Sequence, residues 1–395
     1  MSVTTAAAQQ PFIPYGRQTI SEADIAAVEA VLRGPFLTQG PAVPAFEEAV
    51  AARVSARYAV AANSATSALH LACLALGLGP GDRLWTTPIT FVASANCGRY
   101  CGAEIGFVDI DPATALMSVV DLEQKLEQAA RRGTLPNVLV PVHLCGTSCD
   151  MAAIADLAQR YGVAVLEDAS HAIGGSYCDE TVGNCRYSAI TVFSFHPVKI
   201  ITTAEGGLAT TNDSQLAQRM GDLRSHGITK DEARFERPAP GPWSYEQQDL
   251  GFNYRLTDLQ AALGLSQLDR LDTIVAERQR LLEVYRQNLA SLPVSLLEIP
   301  PSVSSALHLA VIRLHDINPE QHRRVFEGLR AAGIGVQLHY TPVHLQPYYR
   351  RLGFSAGDFP EAEAYARNAL SLPLYPGLQE QDQERVVQVL SSLLG

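Results

Sequence analysis

The sequence has no apolar run long enough to cross a bilayer as a helix, so no membrane span is expected. Its first ten residues, MSVTTAAAQQ, lack both a basic start and a long apolar core. They read as a frayed tail rather than a secretory signal, which predicts a cytoplasmic protein. Positive charge is in deficit: 30 Lys and Arg face 41 Asp and Glu, a formal net charge of −11, with no basic block. General nucleic-acid binding is therefore disfavoured, and an anionic substrate must be met by local positive groups. No GxGxxG follows a predicted strand, and Gly77-Leu78-Gly79-Pro80-Gly81 follows a helix as a turn, which argues against a dinucleotide-binding dehydrogenase. CxxC and HExxH spacings are also missing, so no metal is assigned. The seven cysteines are an odd number, with Cys97/Cys101 and Cys145/Cys149 four apart, and free, packed thiols are expected.

What is present is ordinary globular material, 395 residues with 47% apolar and 18% charged. Apolar runs at Tyr58–Ala62, Arg83–Ile89, Glu104–Ile110, Val138–Leu144, Val163–Asp168 and Ile190–Phe195 read as strands. Helices are predicted at Ser21–Leu32, Val43–Ser55, Val120–Arg131 and Ala152–Tyr161, with another running to Leu76, and Gly206–Thr211 as a further strand. This alternation implies a parallel α/β sheet. Further on, the pattern predicts one long helix from Thr257 to about Leu289, strands Leu307–Leu314 and Val336–Tyr340, a helix Pro319–Ala332 and two short final helices. The segment between Gly227 and Leu250, with PAPGPW, reads as a long functional or mobile loop.

Two stretches carry chemistry. In Ser194-Phe195-His196-Pro197-Val198-Lys199-Ile200-Ile201, a lysine stands among apolar neighbours with no pattern that turns it to water. Desolvation lowers a lysine's pKa and makes its amine a nucleophile. Upstream, the strand ending Glu167-Asp168 leads to His171, and ligands of an open parallel sheet sit beyond such strand ends. Pyridoxal phosphate needs an acid at its ring nitrogen, a lysine for its aldehyde and a cradle for its phosphate. Asp168 and Lys199 could supply the first two, although Asp168 could equally cap a helix. For the third, Asn63-Ser64-Ala65-Thr66-Ser67 joins a strand to a helix N-terminus, where free N–H groups and hydroxyls suit an anion or serve as an ordinary cap.

The segments EDASHAIGG, SFHPVKIITTAEGG and GFNYRLTDLQAALG resemble the DegT/StrS family of pyridoxal-phosphate-dependent nucleotide-sugar aminotransferases, from about Ile13 to the C-terminus. That resemblance implies an α/β fold with an aspartate-aminotransferase-like (fold type I) large domain, residues 11–255, on a mostly parallel mixed sheet. Residues 256–395 would form a connecting helix and a smaller C-terminal α+β domain. It implies that Lys199 and Asp168 are catalytic and bind the cofactor. It also implies that Thr66, Ser67 and Ser194 hold the phosphate, Phe91 stacks on the ring and His171 supports its hydroxyl edge. A homodimer with shared sites follows, in which the Asn253 segment reaches the partner's cofactor.

The runs FLTQGP, NSATSALHLA, TTPITFVASAN, RSHGITK and GVQLHYTPVH most resemble family members of the pseudaminic acid pathway. Those members aminate a UDP-linked 4-keto-6-deoxy N-acetylhexosamine, with L-glutamate the implied donor. Tyr15, Thr38, Gln39 and His339 are then candidate substrate contacts, with His226 and Lys230 as further positive groups. Two other readings are a sugar dehydratase, which carries histidine in place of Lys199, and a non-catalytic regulator, which the Lys199–Asp168 pair opposes.

Overall fold

The computed structural model describes residues 11–395; the N-terminal tail discussed above lies outside them. Seven strands form the central sheet: β1 (Tyr58–Ala62), β2 (Arg83–Thr86), β3 (Glu104–Phe107), β4 (Val138–Val140), β5 (Ala164–Asp168), β6 (Ile190–Ser194) and β7 (Gly207–Thr211). Their order is β1-β7-β6-β5-β4-β2-β3. The pairs from β3 through β6 are parallel, whereas β7 runs antiparallel to both β6 and β1. The expectation of a parallel sheet is corrected at this one strand, because the chain turns straight back after β6 instead of crossing over through a helix.

Both faces of the sheet are covered, which is why its strands read as apolar runs rather than alternating ones. The period of two still sorts them. Val60, Val192 and Ala209 pack on one face with Leu71, Cys97 and Met220. Ala61, Phe193 and Leu208 pack on the other with Phe46, Phe195 and Ile274. Six cysteines are buried and free as expected, and Cys178 is free but exposed.

Because β7 alone is reversed, β1, β5 and β6 all end at the same edge of the sheet, and β7 begins there. Gly207 is paired with Ala62 on one side and Ser194 on the other. That register sets the helix Ala65–Ala75, Ser194 and the lysine loop side by side. A Cβ on Gly207 would lie 2.3 Å from the Ala65 nitrogen, so only glycine permits this approach.

The C-terminal part holds a second, antiparallel sheet of β8 (Val294–Leu296), β9 (Ala310–Leu314) and β10 (Ala369–Leu372), in the order β8-β9-β10. It packs with the helices Pro319–Ala331 and Glu380–Leu394. The segment at Ile13–Tyr15 joins this part: the Ile13 amide donates to Gly333 O at 2.9 Å, and Leu374 donates to Tyr15 O at 3.0 Å.

Several sequence expectations need correction. The long helix from Thr257 is two helices, Asp258–Leu268 and Leu271–Asn288. No glycine or proline marks the break; Gln267 and Arg270 on either side of it both bond Asp24 and the Thr19 carbonyl, a tertiary tie that local sequence does not display. Val336–Tyr340 is not a strand. Gln337 bridges Ser371, and the chain then turns toward the sheet edge described above. The strand β10 was not anticipated, and its four residues offer no pattern to distinguish it from helix. Within the 227–250 segment, Ile228–Thr229 pairs with Glu246–Gln247.

Candidate active site

The sheet edge opens into a cavity of about 650 Å³, walled on its far side by the Gln337–Thr341 segment. Lys199, Asp168, His171, Ser194, Thr66 and Phe91 line it. Tyr15 and His339 do so as well, their rings 5.4 Å apart.

Lys199 sits in a closed loop. The Phe195 amide donates to Gly206 O (2.9 Å), the Thr203 amide to Phe195 O (3.0 Å), and Thr202 Oγ1 to the same carbonyl (2.9 Å). Burial penalises the Lys199 cation and brings its pKa down to about 8, against the opposing pull of Asp168. Asp168 is buried at the end of β5. Its Oδ2 accepts from Ser94 Oγ at 2.6 Å and its Oδ1 from the Ser170 amide at 3.1 Å. Ser94 Oγ is in turn 2.6 Å from Thr90 Oγ1. The neighbouring Glu167 points to the opposite face, where its carboxylate takes His143 Nε2 at 2.7 Å and Thr191 Oγ1 at 3.1 Å, tying the ends of β4 and β5 to the start of β6.

Ser64 caps the helix Ala65–Ala75, accepting from the Ser67 amide at 3.1 Å. Among the described residues, no protein acceptor faces the amides of Ala65 and Thr66, nor the hydroxyls of Thr66 and Ser194. Two free amides at a helix N-terminus with two free hydroxyls make a cradle for a phosphate. Ser67 Oγ is already committed to Asn63 Oδ1 at 2.7 Å and lies behind the cradle rather than in the cavity.

Three imidazoles share the wall. Burial, with Lys199 and His339 nearby, holds His171 well below the ordinary histidine pKa. Burial and Lys199 take His339 down to about 4. The ring of His308 is 4.4 Å from that of His171, and its Nδ1 has no partner. All three are neutral at physiological pH.

Thr38, Gln39 and Asn253 are exposed and outside this cavity. Thr38 bridges Thr257 and Asn253 bridges Ser225, so these residues lie on adjoining segments of the surface. His226 and Lys230 are also exposed and outside it. Sequence reasoning missed Ser94, Thr90, His308 and Tyr340. Ser94 and Thr90 flank the Phe91 that drew notice, while His308 sits in an apolar run that offers no signal.

The residues have the chemistry pyridoxal phosphate needs: a desolvated amine, a hydrogen-bonded carboxylate and an open phosphate cradle around one cavity. Among the described residues no group of His, Cys, Asp and Glu is arranged to hold a metal, and no helix is long and apolar enough to cross a membrane. Among proteins of similar sequence, the spore coat polysaccharide biosynthesis protein SpsC of Bacillus subtilis (strain 168) is 37% identical over 391 residues, which is 97% of this chain and 97% of SpsC. Among solved structures, Helicobacter pylori PseC, an aminotransferase involved in the biosynthesis of pseudoaminic acid, superposes with a TM-score of 0.89 at 30% identity, covering 97% of this chain and 99% of PseC. Spr1654 from Streptococcus pneumoniae, in its PLP form, gives a TM-score of 0.87 at 28% identity over 97% of this chain and 98% of that one. The profile of the DegT/DnrJ/EryC1/StrS aminotransferase family matches residues 18–391, and the protein belongs to that family.

Proposed function

We propose that this pyridoxal-phosphate-dependent sugar aminotransferase moves an amino group from L-glutamate to C4 of a UDP-linked 4-keto-6-deoxy N-acetylhexosamine. In full, UDP-2-acetamido-2,6-dideoxy-β-L-arabino-hex-4-ulose becomes UDP-4-amino-4,6-dideoxy-N-acetyl-β-L-altrosamine, a step toward pseudaminic acid. The observation that carries the chemistry is the half-buried, desolvated Lys199 facing Asp168 across one cavity beside a free helix N-terminus. The sugar assignment is supported by the quoted sequence runs and by the likeness to PseC.

When bound, pyridoxal phosphate supplies an aldehyde to carry the amino group and a ring that takes up electrons. The chain does the rest. Asp168, its two oxygens held by Ser94 and Ser170, keeps a positive N–H opposite it. The amides of Ala65 and Thr66 with Ser194 would hold the phosphate. Lys199 Nζ exchanges a proton near neutral pH, so it takes one from the donor's α-carbon and returns one to the sugar carbon. Phe91, 58% exposed and lining the cavity, would cover the ring and keep water from its face. In this reading the enzyme is a cytoplasmic homodimer, residues 11–255 carry the cofactor, and Asn253, Thr38 and Gln39 serve the partner's site.

Purified protein, glutamate and candidate UDP-keto-sugars test the reading, with the product's structure read by NMR. A free 2-keto acid accepting the amine far faster than every UDP-keto-sugar would sink it. Preference for a D-configured sugar would remove only the pathway assignment. That second outcome, another nucleotide-linked 4-keto-6-deoxy sugar, is favoured by the higher identity to SpsC, whose name places it in spore coat polysaccharide synthesis.

A further inference from the structure

We infer that Tyr340 is the hydrogen-bond donor this cavity turns on an oxygen at the reacting centre, and that His171 aims it. The inference deepens the reading above and rests on it. The Cys145 backbone amide lies 3.3 Å from His171 Nδ1. A backbone N–H can only donate, so Nδ1 is an acceptor and the ring's one proton is on Nε2. His171 Nε2 lies 3.4 Å from the Tyr340 hydroxyl. Nε2–H therefore donates to Tyr340 Oη, and the phenol's own proton must point elsewhere.

Elsewhere is the cavity. Tyr340 lines it, its ring centroid 6.2 Å from that of Phe91 and 6.4 Å from that of His171, to which it is inclined by 25°. Burial, with Cys145, Asp168 and Tyr15 nearby, raises the phenol's pKa, so it remains a donor throughout the physiological range. Burial keeps His171 neutral, so the direction of the chain from Cys145 through His171 to Tyr340 does not reverse. An acceptor oxygen reaching this hydroxyl comes from one of two sources: the ring oxygen of the bound cofactor, or the carbonyl oxygen of the keto substrate. Each is a strong acceptor, and neither can take a bond from His171 while its Nε2–H is engaged.

The test uses the full-length protein and the variants Tyr340→Phe, His171→Leu and His171→Gln. Each is loaded with pyridoxal phosphate, and its binding constant and visible absorption maximum are measured without substrate. The two half-reactions are then followed separately in single turnover, first with glutamate and then with a keto acceptor, using both the UDP-keto-sugar and 2-oxoglutarate. If the oxygen belongs to the cofactor, Tyr340→Phe shifts the absorption band, weakens binding several-fold and slows both half-reactions. If it belongs to the substrate, the spectrum is unchanged, the UDP-keto-sugar half-reaction falls about 100- to 1,000-fold, the range for one donor in a dry site, and the glutamate and 2-oxoglutarate arms, which run one half-reaction in opposite directions, fall together. His171→Leu should reproduce the Tyr340→Phe defect, the double variant should add little to either, and His171→Gln, which keeps an N–H near Nε2, should lose less. Wild-type behaviour of Tyr340→Phe in every arm overturns the proposal. So does a double variant whose losses multiply, since the two residues would then act independently. Failure of wild-type protein to aminate any UDP-sugar would sink the substrate assignment alone, because the spectral, glutamate and 2-oxoglutarate arms read Tyr340 regardless.

Discussion

Ser94 Oγ lies 2.6 Å from Asp168 Oδ2, a buried hydroxyl joined to the carboxylate that, in the reading proposed here, would face a cofactor's ring nitrogen. Ser94 is the second residue of the helix Ala93–Tyr100, far from Asp168 in sequence, and Thr90 also bonds it. A hydrogen bond to a buried charge contributes about 1.5–3 kcal/mol. Ser94→Ala should therefore weaken pyridoxal phosphate binding and lower kcat/KM by roughly 10- to 100-fold. Asp168→Asn should bind the cofactor yet lose more of the rate, because an amide cannot hold the ring nitrogen as an ion pair. Equilibrium titration with the cofactor and steady-state kinetics check both. Wild-type constants in Ser94→Ala would mean that Ser170 alone suffices to hold Asp168.

Lys199 links cofactor chemistry to the stability of the cofactor-free protein. Its folded pKa of about 8 lies below the ordinary 10.5, so folding disfavours its charged form. The unfolded chain holds the extra proton between these values, and stability gained from this group rises with pH across that window. Below pH 8 the penalty is full, on the order of 3 kcal/mol. Cofactor-free Lys199→Met should thus be more stable than wild type at pH 7, and the difference should shrink as pH climbs toward 10.5. Denaturant melts across that range measure it. A variant less stable than wild type at pH 7 would refute the assignment of a desolvated amine. With cofactor added, the same variant should show no covalent absorption band and no transamination.

Asn253, Thr38 and Gln39 lie outside the cavity of their own chain, on a surface that also exposes Phe36, Leu37 and Leu250. If the proposed homodimer shares its sites, mixing inactive Lys199→Ala with an inactive Asn253→Ala protein should restore part of the activity, since a mixed dimer would carry one site with both residues intact. No recovery despite demonstrated subunit exchange would count against shared sites or against Asn253.

Gly207 leaves no room beside Ala65. Gly207→Ala should push the helix N-terminus away from Ser194 and weaken binding of pyridoxal phosphate more than tenfold, roughly the loss of one charge-assisted hydrogen bond. Inorganic phosphate binding to the cofactor-free protein should weaken in parallel. Unchanged affinity for both would mean that the cradle lies elsewhere.

Much of this was legible in the sequence because it is local. The apolar runs of β1, β5 and β6 end in the residues that matter, and Asp168, Ser194 and Lys199 stand at or just past strand ends. The turn Asn63–Ser67 was read as a phosphate site or an ordinary cap, and Ser64 is its capping residue. What stayed hidden depends on parts of the chain that meet only in three dimensions. Ser94 gains its meaning from Asp168, and Tyr340 gains its own from His171. Val336–Tyr340 alternated like a strand, yet after one bridge to Ser371 it leaves the sheet, and His339 Nδ1 meets Ser371 Oγ at 2.8 Å. The break between Leu268 and Leu271 carries no local mark because Asp24 imposes it from the N-terminal helix.

The loop that carries Lys199 is pinned at both mouths, by Phe195 with Gly206 and by Phe195 with Thr203, and it joins two strands that are hydrogen-bonded neighbours. Its length is therefore not adjustable. An inserted or deleted residue between His196 and Thr202 would either break the pins or slip β7 by one position, and a slip of one turns every side chain of a strand to the opposite face. Leu208 and Ala209 would exchange sides of a sheet that is packed on both. Lys199 apart, this loop tolerates a change of residue better than a change of length.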